Sequence, residues 1–265
     1  MKTYTKIIKM EFLGNLEYRF NLLIGPFSIV SSVSMNCLMW WLIMKSNNLS
    51  QINGMTFNDF AFYFTLAFIV HQLRSNWDVN FEIIEDIRRG LVTRFLTRPI
   101  SFFWNYFSIW IGRNIGFFII YCFLLLGLKL LFPGVIFQSF WQPPCFLLSL
   151  GISMILSHCI YMNIVVLNFW FHDLTGFIMG FNFFATIVFG TLIPYSFYPE
   201  WSMALINWSP FPYVVSLPIN IARGQLDLLP AITGCGQAVL WTLILGGLFK
   251  LVYSRAIRAY GAYGG

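Results

Sequence analysis

From Phe20 to Met44 the chain runs for 25 residues without one charged side chain. A helix of about 20 apolar residues crosses the ~30 Å hydrocarbon core of a bilayer. In water such a stretch would need a large core and a charged shell around it. The composition offers no such shell. Only 10% of residues are charged and 58% are hydrophobic, with mean hydropathy +0.72; soluble domains carry roughly 25% charged residues. Most of this chain is therefore expected in lipid, and disorder, coiled coil and secreted disulfide scaffold are excluded.

Five further apolar stretches follow. The expected spans are 20–44, 57–77, 100–128, 145–170, 176–193 and 230–249. Pro26 is expected to kink the first. Ahead of it, residues 1–18 alternate Lys2, Lys6, Lys9, Glu11 and Glu17 with Tyr4, Ile7, Ile8, Met10, Phe12 and Leu13. That spacing predicts an amphipathic helix in the membrane surface, and no signal-peptide pattern. Loops are expected at 45–56 and 129–144, and a basic, Gly-rich tail after Lys250.

The net charge of +6 is topogenic in this reading. Six spans put thirteen cationic residues on the side of the termini and three on the other: Lys45, Lys129 and Arg223. Cytoplasmic loops hold the excess of Lys and Arg, so both termini are expected in the cytoplasm. No basic stretch stands apart from the apolar segments, which excludes nucleic-acid binding. The five cysteines form no C-x-x-C pair, so a metal site or disulfide framework is not expected.

The most charged stretch is 79–98. Ile83, Ile84, Ile87, Leu91 and Phe95 recur every three to four residues, which predicts one helix with one apolar stripe, ended by Pro99. Acids lead and bases follow, as the helix dipole prefers. On physics alone it is equally a membrane-surface helix or a docking helix for a soluble partner. A second stretch, 194–229, is apolar yet broken by Pro194, Pro199, Pro210, Pro212 and Pro218. It is read as either an outer loop with an aromatic belt or a re-entrant hairpin acting as an external gate.

Small-residue pairs occur at Gly112/Gly116 and Gly176/Gly180, where helices can approach closely. Packing within the chain and a seam between subunits are both open for them. Arg113 is expected to snorkel to the inner interface, with lining a cavity as the alternative. His158 is read as a hydrogen-bonded structural histidine, and His172-Asp173 as a solvated turn.

The acidic helix with Ile87-Arg88-Arg89-Gly90-Leu91, then Leu96-Thr97-Arg98-Pro99-Ile100, resembles the coupling helix of ABC-2-type transporter permeases. The order of elements around it is similar too. The resemblance implies an all-α membrane fold of six spans with an N-terminal interfacial helix, a cytoplasmic coupling helix and an outer hairpin before the last span. It implies a prokaryotic inner-membrane exporter subunit that pairs with a second permease chain, as homodimer or heterodimer. It also implies separate cytoplasmic ATPase subunits, which supply ATP and Mg²⁺; no cofactor is expected in this chain, which lacks a G-x-x-x-x-G-K-[ST] loop. Carried over, Glu82, Glu85, Arg88, Arg89, Gly90 and Leu91 would form the docking helix. Pro194, Tyr198, Pro199, Trp201, Asn207 and Pro210 would form the outer gate. Gly176 and Gly180 would lie at the dimer seam or substrate path. Aromatic-rich spans suggest an apolar or amphipathic cargo such as a lipid, glycolipid, peptide or drug. The alternative is an intramembrane lipid-modifying enzyme, which would need His71, Asp78, His158, His172 and Asp173 to cluster.

Overall fold

A computed structural model describes residues 2–17, 19–75, 77–132, 134–171 and 173–260. His172 thus lies outside the described residues. Those described are helical, with no named strand and one isolated bridge, Ile52–Met55.

The helices are α1 (Lys2–Glu17), α2 (Arg19–Ser46), α3 (Phe57–Arg74), α4 (Trp77–Arg88), α5 (Arg94–Thr97), α6 (Phe102–Leu131), α7 (Gln142–Val165), α8 (Thr175–Val188), α9 (Glu200–Asn207), α10 (Ser216–Ala222) and α11 (Leu228–Tyr260). Four stretches are long and apolar enough to cross a membrane: Ile24–Ser46, Phe102–Leu131, Gln142–Phe169 and Leu228–Arg258. The third is two-thirds buried (67%) while the others are about one-fifth buried (17%, 22% and 22%). So α7 is the centre, and α2, α6 and α11 turn most of their surface outward. α7 packs along α11, α2 along α3, and α1 along α6.

Local chemistry explains several boundaries. α3 starts with a capping box: the Thr56 amide donates to Asp59 Oδ2 at 2.9 Å and the Asp59 amide to Thr56 Oγ at 3.4 Å. Pro143 and Pro144 sit in the first turn of α7, where a missing N–H costs nothing. α2 continues through Pro26.

Three expected boundaries are corrected. α8 stops at Val188 rather than 193; at 1.5 Å per residue its 14 residues span only ~21 Å. Gly190 then turns left-handed at φ +79°. The basic tail after Lys250 is helical as far as Tyr260, as part of α11. The single helix expected over 79–98 ends at Arg88, and Gly90 adopts φ +75°. A short 3₁₀ turn (Leu91–Thr93) and α5 follow. Ile83, Ile84 and Ile87 are buried as expected, but beyond the break Val92 takes the inward place and Leu91 faces out.

α1 has no fully buried residue. Its half-buried positions Tyr4, Ile7, Ile8, Glu11, Phe12, Gly14 and Asn15 make one stripe, and Lys2, Lys6 and Lys9 are exposed. The stripe rests on α6 at Gly112. A Cβ there would stand 2.6 Å from Glu11 Cβ and 2.8 Å from the Ile8 carbonyl oxygen. At Gly116 a Cβ would meet the Leu22 side chain, with Cδ2 at 2.8 Å. We expect Gly112→Ala to destabilise by about 1–3 kcal/mol through backbone overpacking. Gly116→Ala should cost less, because Leu22 can change rotamer. Gly176→Ala, with nothing within 4 Å, should be neutral or gain up to about 1 kcal/mol of helix propensity in the isolated chain. Thermal unfolding of the three variants checks this order.

Candidate coupling site and outer clasp

Arg113 gathers three elements. Its Nε donates to Glu11 Oε2 of α1 at 2.8 Å, and its terminal nitrogen to Glu82 Oε2 of α4 at 2.7 Å. Asn15 of α1 donates to the Arg113 carbonyl at 2.7 Å. Near the start of α6, the Ser101 amide donates to Tyr4 Oη at 3.0 Å. The Arg113 guanidinium thus meets acids from both α1, the helix expected in the membrane surface, and α4. Planar guanidinium with separate donor edges suits this double grip.

A second node folds the charged segment back on itself. Asp86, 8% exposed, accepts from Arg94 and, at 2.5 Å, from the Tyr106 hydroxyl of α6. Arg94 also donates to Tyr106 Oη at 3.1 Å. This closure requires the chain to reverse after α4, which explains the left-handed Gly90 and the loss of a continuous helix.

The remaining charges face outward. Glu85, Arg88 and Arg89 form i,i+3 and i,i+4 pairs at 3.6 and 2.6 Å, with side chains 43%, 47% and 68% exposed. Pairs that exposed contribute little stability, so they leave the tip available to a partner. Leu91 is exposed beside them. Of the six residues expected on the docking surface, Glu85, Arg88, Arg89, Gly90 and Leu91 thus lie at the tip. Glu82 does not; it faces Arg113.

At the other end of α3 lies a clasp of tyrosines. Helix C-termini leave carbonyls without partners. Here Tyr198 donates to the Ile187 carbonyl at 2.8 Å, Tyr195 to the Val188 carbonyl at 2.5 Å, and Tyr63 of α3 to the Gly190 carbonyl. Burial pushes the pKa of Tyr195 and Tyr198 up, so both stay donors at neutral pH. The short α8 is thereby fastened to the segment 194–198. The remaining expected gate residues are spread out. Pro194 precedes a 3₁₀ turn and Pro199 caps α9. Trp201 is 72% exposed, Asn207 ends α9 and Pro210 precedes a second 3₁₀ turn. The limbs differ: α9 buries only Ile206, whereas α10 is almost wholly buried. Tyr63, Tyr195 and Gly190 had no local signal; single tyrosines in apolar sequence are ordinary interface residues.

The arrangement is a bundle of long apolar helices carrying a clamped, charged tip. Residues 30–264 match the family described as ABC-2 family transporter protein. The chain belongs to that family. It is an integral membrane protein and the membrane component of an ABC transporter. No curated protein matches it significantly. The match begins within α2 and includes Arg113, while α1 lies outside it.

Within this permease the two glycine pairs have different surroundings. Gly112 and Gly116 pack inside the chain against α1 and α2, whereas Gly176 and Gly180 meet nothing within 4 Å. His158 is buried among the rings of Phe103, Phe107 and Trp110, stacked on the last at 5.9 Å, with Nε2 3.3 Å from the Phe103 carbonyl. His71 Nδ1 instead accepts from Arg74 at 2.8 Å. Arg74 is 1% exposed and lies over Phe189 at 4.4 Å. Among the described residues no three His, Cys, Asp or Glu gather into a metal-type cluster.

Proposed function

We propose that the chain is the permease subunit of an ATP-driven exporter, pairing with a second permease chain and with separate ATPase subunits. ATP and Mg²⁺ belong to those subunits. The ATPase contact is the tip made by Glu85, Arg88, Arg89, Gly90 and Leu91. The observation that carries this reading is the division of charge on one segment: Glu82 and Asp86 are turned inward onto Arg113, Arg94 and Tyr106, while Glu85, Arg88 and Arg89 are left to solvent. A push on the tip is then delivered to α6 and α1 through short ionic contacts rather than lost in a loose loop.

In this reading α3 and the short α8 join the four long helices to make six crossings. Both termini are cytoplasmic, in the inner membrane of a prokaryote, as the cationic asymmetry supports. The unfilled faces at Gly176 and Gly180 meet the second subunit. Segment 194–229, fastened by its tyrosines to α8, is the outer gate, with Trp201, Asn207 and Pro210 on its outer limb. The cargo is apolar or amphipathic: a lipid, glycolipid, peptide or drug. Binding of ATP to the partner shifts an inward–outward equilibrium through the tip.

The test is co-purification. The tagged chain, expressed with its neighbouring genes and extracted in mild detergent, should bring down a P-loop ATPase. Arg88→Glu/Arg89→Glu should abolish that association while leaving the permease's thermal unfolding within about 0.5 kcal/mol of the parent, as for exposed positions generally. Retention of a transport-competent ATPase by the double variant would overturn the docking assignment.

A further inference from the structure

We propose that the polar pocket at Arg223 binds an oxyanion, a phosphate or carboxylate carried by a small molecule or a lipid headgroup. The pocket has a volume of about 240 Å³ and is lined by Arg223, Asn220, Gln225 and Ser216 on one side and by Asn53 and Tyr195 on the other. It lies between the α2–α3 loop and the start of the segment 194–229. Small-molecule sites run from about 300 Å³ upward, so this one suits a single polar group and not a whole lipid.

Arg223 is the one charged residue among those lining it. Its side chain is 7% exposed. Buried guanidinium groups are costly unless an anion and hydrogen bonds compensate. Asp59 lies 3.7 Å away, beyond hydrogen-bond distance, and outside the lining. The other Asp59 oxygen is held by the Thr56 amide at 2.9 Å and the Thr56 hydroxyl at 2.7 Å. Asp59 is therefore tied to its capping box by one oxygen, while the other makes a long ion pair with Arg223 from outside the pocket lining. The guanidinium is also positioned: the Gln225 amide oxygen, in the orientation that satisfies both groups, accepts from its two terminal nitrogens at 3.1 and 3.2 Å. Its carbon stands 5.6 Å from the Tyr63 ring centre. Burial lowers the Arg223 pKa and Asp59 opposes this, and guanidinium remains charged at neutral pH.

The other two cations expected on this side of the membrane have ordinary partners. Lys45 stands 4.6 Å over the Trp41 ring, and Lys129 donates to the Ile136 and Phe137 carbonyls at 3.0 and 2.8 Å. Of these three, Arg223 is the one that lines this polar pocket. Amides, a hydroxyl and one held guanidinium are the donor set that recognises an oxyanion.

The full-length chain in nanodiscs of neutral lipid should bind inorganic phosphate or glycerol 3-phosphate, read by calorimetry. A parallel arm with phosphatidylglycerol, read by native mass spectrometry, identifies a lipid source. Binding in either arm, weakened about tenfold or more by Arg223→Gln, supports the proposal. Asn220→Asp puts a carboxylate beside Arg223 without removing it. It should keep the fold, shown by an unchanged or raised unfolding temperature, and lose the anion to the same extent. No binding in either arm, or binding unchanged in Asn220→Asp, overturns the proposal. The experiment contains no ATPase, so its failure leaves the docking reading untouched.

Discussion

Replacing Arg113 with Ala should release the N-terminal helix from the bundle. The substitution leaves Glu11 and Glu82 as two carboxylates that had converged on one cation at 2.8 and 2.7 Å. Breaking a buried ion pair from one side costs about 3–5 kcal/mol, because a charge remains without a partner. The three side chains keep 29%, 29% and 34% exposure, so water offsets part of this, and a loss of about 2–3 kcal/mol is expected. Hydrogen exchange should rise across 2–17 and at α4, with little change in α7 and α11. Adding Glu11→Gln and Glu82→Gln should recover much of the loss by removing the repulsion. Unchanged exchange in α1 would refute the clamp. In the assembled transporter, the same variant should keep ATP hydrolysis but lose its coupling to transport.

Asp86→Ala is expected to loosen the tip itself. It removes the acceptor shared by Arg94 and Tyr106. Hydrogen bonds to charged groups contribute about 1.5–3 kcal/mol each, and the buried Tyr106 hydroxyl, left without an acceptor, adds to the cost. About 2–4 kcal/mol of local stability should vanish. The loss should concentrate in residues 88–97, read as faster amide exchange there. Tyr106→Phe keeps the Arg94–Asp86 pair and should show a smaller version of the same pattern. Equal exchange in parent and Asp86→Ala would mean that Gly90 and Val92 alone hold the reversal.

Much of the architecture was legible before folding was considered. Charge-free runs and proline positions located the helices, because a bilayer leaves backbone polar groups no partner except within the helix. The stripe Ile83-Ile84-Ile87 and the amphipathic start were visible because a helix repeats every 3.6 residues. The cationic bias pointed to one orientation for the same one-dimensional reason. The tip residues Arg88 and Arg89 stood out because charge is rare in this chain.

What the sequence did not disclose lies in pairings at a distance. Arg113 and Glu11 are 102 positions apart, and Tyr63 and Gly190 are 127 apart. Nothing in the local pattern around Arg113 names its ion-pair partners; the packing of α1 on Gly112 delivers Glu11. The same holds for the break after Arg88. An apolar period ran on through Leu91 and Phe95, and a continuous helix would satisfy it. The tertiary contact of Asp86 with Arg94 and Tyr106 outweighs that local preference, since burying Asp86 requires partners that a straight helix cannot bring round. Length and hydropathy along the chain thus determined a helical membrane protein and where its charges lie. Only the closed structure decided which charges hold the permease together and which are left at its surface, because an ion pair depends on where two helices meet and not on what either one reads like alone.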